Sequence, residues 1–244
     1  MISAVILAKD YDQPLKKLIA SFKFADEIVI IIDKLFNKLS HTGCVKAKVF
    51  TRSLNNDFAA QRNFGLRKAK GDWVLFIDSD EEISQELNKE ISQLINNPIN
   101  QMNGYYIRRQ DRLWGKLMTG TEAGRTRILR LVRKGSGKFM RRVHEYYECT
   151  GTTGALKNKL IHNPHPTLRK FLVDVNRYST IHAQENLEEG KKSTLFKIIF
   201  YPVGKFLYNW LVLGGCKDGD RGVIVSLIMS LHSFLSWSKL WLMH

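Results

Sequence analysis

Residues 69–82 read Ala69-Lys-Gly-Asp-Trp-Val-Leu-Phe-Ile-Asp-Ser-Asp-Glu-Glu82. Five consecutive apolar residues, Trp73–Ile77, stand between Gly71 and a cluster of four carboxylates in five positions. A short apolar run closed in this way predicts a strand buried on both faces, the kind found inside parallel sheets. Just upstream, Asp57 can cap a helix over Phe58–Ala69, whose Ala-rich start favours helix and whose end is marked by Gly71. Further upstream, Ile2–Ala8 and Ile28–Ile32 are apolar runs. Between them Leu15, Leu18, Ile19 and Phe22 follow Pro14 at i, i+3, i+4 and i+7, the spacing of one helix face. Val45, Ala47 and Val49 alternate with Lys46 and Lys48, as in an edge strand. Strands alternating with helices require right-handed crossovers, which predicts an α/β Rossmann-like architecture, a mainly parallel sheet flanked by helices. Ligands in such folds belong at the carboxyl ends of the strands, where Asp78-Ser-Asp-Glu-Glu82 emerges.

Downstream, Ser84 can cap a helix that buries Leu87, Ile91, Leu94 and Ile95 and stops at Asn96-Asn97-Pro98. From Gly104 the pattern loosens into strand-like pieces, Tyr105–Arg108 and Arg127–Val132, expected to build the acceptor side of a cleft. A chain of 244 residues suits one catalytic-size domain with an appendage. With 44% hydrophobic and 25% charged residues, disordered and low-complexity classes are excluded. Cys44, Cys149 and Cys216 are scattered and odd in number, which argues against a disulfide framework or a cysteine zinc site and for a reducing compartment. The apolar N-terminus has no preceding basic region and meets Lys9-Asp10 at once, so it reads as a strand and not as a leader.

The net charge of +15 is uneven. Residues 1–104 carry 14 Lys+Arg against 13 Asp+Glu, residues 105–145 carry 12 against 3, and residues 146–244 carry 12 against 7. The electropositive middle would attract phosphate-bearing partners. One reading makes it a nucleic-acid-binding surface, with Tyr105, Tyr106 and Trp114 interleaved among arginines, but that leaves the acidic cluster without a purpose. Four neighbouring carboxylates repel one another, and a hard divalent cation, Mg²⁺ or Mn²⁺, is the usual remedy where substrate phosphates complete its shell. An acidic helix start ahead of Ser84 is the alternative.

Asp57-Phe-Ala-Ala-Gln-Arg-Asn-Phe-Gly65, followed by Ala69 to Glu81, resembles the donor-site half of family-2 glycosyltransferases with the GT-A fold. Ala25-Asp-Glu-Ile-Val-Ile30 and Arg142-Val-His-Glu145 narrow the similarity to the lipopolysaccharide core biosynthesis subgroup. The resemblance implies a donor half at 1–100, an acceptor half at 101–190 and a helical appendage at 191–244. It places Ala8 at the nucleoside, Asp33 at the base or ribose, Arg62 on the nucleotide, and Asp78 near the ribose and metal. Asp80 would be the principal metal ligand in an Asp-x-Asp motif, bridging to the diphosphate of a nucleotide sugar, with a UDP-sugar the expected donor. The family usually has an Asn-Glu pair after the first strand and a Ser/Thr-Asp loop after Asp33. Here the chain reads Lys9-Asp10-Tyr11-Asp12 and Lys34-Leu35-Phe36-Asn37.

Transfer to a hydroxyl needs a base within hydrogen-bond reach, and Glu145 is the candidate. His144 is a candidate metal or diphosphate ligand, and His162 a weaker one in His162-Asn-Pro-His-Pro166. The expected activity is inverting, metal-dependent sugar transfer to a glycan or lipid-linked hydroxyl in cell-envelope synthesis. No nucleic acid partner is expected, and an inactive binding relative is disfavoured by the intact Asp78-Ser-Asp80 and His144-Glu145. No uncharged apolar run reaches the length of a spanning helix, the longest being Val223–Ser238. Phe196, Ile199, Phe200, Val203, Phe206, Leu207 and Trp210 follow helical spacing, interrupted at Pro202, and a second apolar segment covers Val223–Met243 with a Ser226, Ser230, Ser233 stripe and interfacial Trp237, Lys239 and Trp241. This pair is expected to lie on an anionic membrane surface at the cytoplasmic face.

Overall fold

The structure, a computed structural model, describes residues 1–33, 46–97 and 99–243. Cys44, Val45, Pro98 and the Lys34-Leu35-Phe36-Asn37 segment lie outside the described residues. The chain forms two compact units, one of Met1–Arg108 with Arg127–Ile161 and the other of Arg109–Thr126 with His162–His244.

In the first unit the alternation expected from the sequence is present: β1 (Ile2–Ala8), α1 (Gln13–Ser21), β2 (Glu27–Ile32), β3 (Ala47–Thr51), α2 (Phe58–Lys68), β4 (Trp73–Asp78), β5 (Glu81–Ile83) and α3 (Gln85–Ile95). Asp12, Asp57 and Ser84 cap α1, α2 and α3, each side chain accepting a backbone N–H three residues on. After α3 come β6 (Gly104–Leu113), β7 (Lys116–Leu117), α4 (Thr121–Arg125), β8 (Arg127–Arg133), β9 (Gly137–Met140), β10 (Tyr146–Cys149) and β11 (Thr153–His162). The sheet runs β3-β2-β1-β4-β8-β6-β11-β5, with β9 and β10 forming a separate hairpin. Strands β3, β2, β1 and β4 are mutually parallel; β8 is antiparallel to β4 and to β6. β3 takes the edge place its lysine alternation predicts.

The apolar runs are continuous because both faces of these strands are covered. Ala4, Ile6, Ile28, Ile30, Leu75 and Ile77 pack with Leu15 and Leu18 of α1, Phe22 just after it, and Leu87 and Ile91 of α3. The alternate residues Val5, Leu7, Val29, Ile31, Val74 and Phe76 pack with Ala59, Ala69, Phe139 and Tyr147 on the other side. Gly65 sits mid-helix, a costly place for glycine, because α2 crosses β1 so closely that a Cβ there would stand 2.4 Å from Val5 Cγ1. Gly65→Ala should therefore destabilise the protein by about 1–3 kcal/mol through overpacking, read as a lowered urea midpoint at unchanged m. An unchanged midpoint would show that α2 can move away from β1 at little cost.

Two strands differ from expectation. β6 continues to Leu113, although Arg108, Arg109, Asp111 and Arg112 hide its alternation, and Glu81–Ile83 forms a strand where an exposed helix start was the alternative.

The second unit contains β7, α4, α5 (Leu168–Glu188), α6 (Leu195–Leu207), a π-helix (Tyr208–Val212), a 3₁₀ turn (Gly215–Asp218) and α7 (Asp220–Leu242). α7 packs against both α5 and α6. Pro202 lies inside α6 without breaking it; the irregularity falls later, at the π-helix. Ser230 Oγ donates to the Pro202 carbonyl, and Ser226 is buried on the Gly222 carbonyl, so the small-residue stripe serves close contact. Buried Asp218 accepts from Thr119 N, Thr119 Oγ1 and Gly120 N, fastening the 3₁₀ turn to the loop before α4. Within this unit α5 and the β7–α4 segment pack with the C-terminal helices.

Candidate active site

The parallel register sets Ala8 beside Ile32 and Leu7 beside Asp78, so the carboxyl ends of β1, β2 and β4 finish together. Asp33 N donates to the Ala8 carbonyl, and Ser79 N donates to the Leu7 carbonyl. Ala8, Asp33 and Asp78 are therefore neighbours at one sheet edge, as the sequence predicts. Asp33 Oδ1 accepts from Leu54 N, which fixes its carboxylate on the chain leading from β3 to α2.

Arg62 occupies the centre. An arginine on α2 would ordinarily face solvent, yet its side chain is 2% exposed. Its Nη2 donates to both oxygens of Asp78 at 2.9 Å, and its Nε donates to Glu145 Oε1 at 2.9 Å. The ring of Phe139 lies under the guanidinium, 5.6 Å from centroid to Cζ. Burial opposes the charge, but Asp78 and Glu145 more than offset it and hold the guanidinium proton above its ordinary value.

Arg130 of β8 completes the cluster, and the sequence reading did not single it out. Its side chain is 5% exposed; Nη2 donates to Asp78 Oδ2 at 3.1 Å and stands 3.8 Å from Glu145 Oε1. Burial and the neighbouring Arg62 depress this guanidinium below its ordinary value, with Asp78, Glu81 and Glu145 opposing. The available signal was an arginine enclosed by Ile128, Leu129, Leu131 and Val132 in a strand, where solvated arginines are unusual.

The acidic run is thus organised differently from four mutually repelling carboxylates. Asp78 is bound by two arginines, and Glu81 turns inward, buried, with Oε2 accepting from Asp78 N at 2.8 Å. Asp80 and Glu82 face solvent. Part of the repulsion that suggested a cation is relieved by guanidinium groups and a backbone amide. The oxygen donors that remain outward, with Asp80 foremost, still suit a hard cation that takes one or two protein carboxylates.

Three contacts hold the Glu145 segment to α2. Asn63 Nδ2 donates to the Phe139 carbonyl and its Oδ1 accepts from Phe139 N, both at 2.8 Å, which imitates a strand partner for β9. Phe58 N donates to the Arg142 carbonyl at 2.9 Å, and Arg62 reaches Glu145. Between these ties the chain turns sharply, with Arg141 at φ 68° and His144 at φ 51°. Such left-handed non-glycine residues persist where the surroundings over-determine them, often at functional sites. His144 is exposed on this turn beside Glu145. His162, in the second unit, is buried with Nδ1 2.8 Å from Asp111 Oδ1.

The sequence pattern of glycosyl transferase family 2 matches residues 9–162. The lipopolysaccharide core biosynthesis glycosyltransferase LpsC of Rhizobium meliloti (strain 1021) is 28% identical over 190 residues, which cover 77% of this chain and 70% of that protein. An uncharacterized glycosyltransferase of Rickettsia typhi is 23% identical over 98% of this chain and 86% of its own length. Crystal structures of S. aureus TarS 1-349, alone and in complex with UDP, share the fold with TM-score 0.50 at 15% and 14% identity, covering 96% of this chain and 91% of theirs. Against the longer TarS chain the match spans 40% of that protein. The matched segment carries Arg62, Asp78, Arg130 and Glu145, and the chain belongs to glycosyl transferase family 2 as a glycosyltransferase.

Proposed function

We propose that the protein transfers a sugar, with inversion, from a nucleotide-diphosphate sugar to a hydroxyl of a glycan or lipid-linked acceptor in cell-envelope polysaccharide or lipopolysaccharide synthesis. The observation that carries this reading is the single guanidinium of Arg62, which holds Asp78 on the donor side and Glu145, the candidate base, in one cluster at the carboxyl end of β4. The likeness to LpsC supports the envelope assignment, and the UDP in the TarS complex supports a UDP-sugar as donor.

Ala8 and Asp33 would receive the nucleoside, and Asp80 would hold Mg²⁺ or Mn²⁺, with Asp78 as a second ligand and His144, next to Glu145, as a further candidate ligand. When bound, the cation would stabilise charge on the departing diphosphate. Glu145 takes the proton of the acceptor hydroxyl as its oxygen attacks the anomeric carbon from the face opposite the leaving group. Arg62 and Arg130 keep Glu145 and Asp78 in place and offset their charge. The protein works at the cytoplasmic face of a membrane, where a lipid-linked acceptor is available.

A panel of nucleotide sugars incubated with Mn²⁺ or Mg²⁺, scored for release of nucleoside diphosphate and for the anomer formed, tests this reading. Chelator is expected to abolish transfer and either cation to restore it. Full activity in excess chelator would remove the metal from the mechanism, and a retained anomeric configuration would remove inversion.

A further inference from the structure

α6 and the π-helix bury almost nothing of what their sequence offers. From Leu195 to Val212, Pro202 and Asn209 are the buried residues. The exposed side chains are without exception apolar or aromatic, among them Phe196, Ile199, Phe200, Val203, Leu207 and Leu211. These six recur at i, i+3, i+4, i+7, i+11 and i+15, one stripe about 22 Å long at 1.5 Å per residue. The stretch Lys191 to Lys217 contains five lysines and no acidic residue; Lys191 is paired with Glu189 and Lys205 with Glu122. Lys191 and Lys192 stand exposed before α6, and Lys217 stands exposed after the π-helix. Lys197 extends over the ring of Trp237, 4.8 Å from its centroid, where the ring also meets Tyr201 edge-on.

We infer that this face seats the protein in the plane of an anionic phospholipid bilayer, with α6 and the π-helix as the inserted element. A protein partner would be expected to meet hydrogen-bonding groups at about one per 100–200 Å² of contact, and this stripe offers little besides the Tyr201 and Tyr208 hydroxyls. A helical backbone satisfies its own polar groups, as lipid requires. Lysines at both ends of an apolar stripe provide the second, electrostatic contribution that stable interfacial binding needs.

α7, at 23 residues, is long and apolar enough to cross a bilayer by length and composition. One face of it is committed to α5, while Leu227, Leu231 and Phe234 stay exposed. Lys239 Nζ sits 2.7–2.9 Å from four acceptors of α5, the Asn176 carbonyl, Asn176 Oδ1, Ser179 Oγ and Thr180 Oγ1, and shares its three N–H groups among them. α5 carries many charged residues, so a crossing α7 would draw them into hydrocarbon or break these contacts. The inference rests on the proposed function only for the lipid-linked acceptor.

Sedimentation of the full chain with vesicles tests it separately from transfer activity. Equimolar phosphatidylcholine and phosphatidylglycerol vesicles should carry the protein down, pure phosphatidylcholine should retain much less, and high salt should release part of it. Phe200→Glu with Leu207→Glu, at positions 54% and 46% exposed, should weaken partitioning about tenfold or more while leaving the thermal melt unchanged. Lys191→Glu with Lys192→Glu, outside the helices, should weaken binding to the anionic vesicles alone. Full-length protein that stays in the supernatant overturns the inference, as does a Phe200/Leu207 variant that binds as well as the parent. Concentration-dependent dimers disrupted by that variant, without vesicle binding, would assign the face to a second copy of the chain.

Discussion

Glu145→Gln is expected to lower turnover by about 10² to 10⁴ while leaving donor affinity nearly intact, the loss typical of a missing general base. The substitution is informative because glutamine keeps an oxygen at the Oε1 position that accepts from Arg62 Nε, so the α2 contact can persist without the carboxylate. Single-turnover transfer measured alongside donor binding by calorimetry separates the possibilities. If donor binding collapses, Glu145 belongs to the nucleotide site; if turnover is unchanged, the base lies elsewhere. Arg130→Met should also reduce transfer, because Asp78 would lose a partner and Glu145 a nearby positive charge. Arg130→Lys should recover only part of it, since an ammonium cannot reproduce the planar guanidinium.

Arg62→Met is expected to be the most destabilising single change, at about 3–5 kcal/mol, because it leaves two carboxylates beside Arg130 with one of their partners gone. The magnitude follows from geometry: the guanidinium is buried and bonded to Asp78 and Glu145 at 2.9 Å. Replacing the partners as well should soften the loss. Arg62→Met combined with Asp78→Asn and Glu145→Gln removes the stranded charges, so its urea midpoint should exceed that of Arg62→Met alone. A single variant within about 0.5 kcal/mol of the parent would mean that water or a rearranged Arg130 takes over the charges.

The parallel half of the sheet is legible in the local order of residues. Uninterrupted apolar runs at Ile2–Ala8, Ile28–Ile32 and Trp73–Ile77 need cover on both faces, and the helix spacing between them supplies it. These are local signals, as are the caps at Asp57 and Ser84 and the position of Asp78 at the end of β4. The helix α5 was less legible because its buried positions include Asp174, Ser179, Glu185 and Asn186, which dilute the apolar period. Pro202 pointed to an interruption, but the chain keeps its helix there, and the irregularity falls at Tyr208–Val212.

Which charges are buried, and with whom, depends on the assembled fold. Arg62 meets Glu145 across 83 residues, and Arg130 meets Asp78 across 52. The apolar neighbours of Arg130 mark it as an arginine in a buried strand, but nothing local names its partners, since the carboxylates that pair it are brought from distant parts of the chain. Glu81 likewise reads as one more acid in a cluster until its carboxylate is seen to turn inward to the Asp78 amide. A hydrophobic period is written along the chain because each element must bury its own face. The partner of a buried charge is fixed by the assembled sheet, where desolvation would be prohibitive unless the opposite charge were already in place.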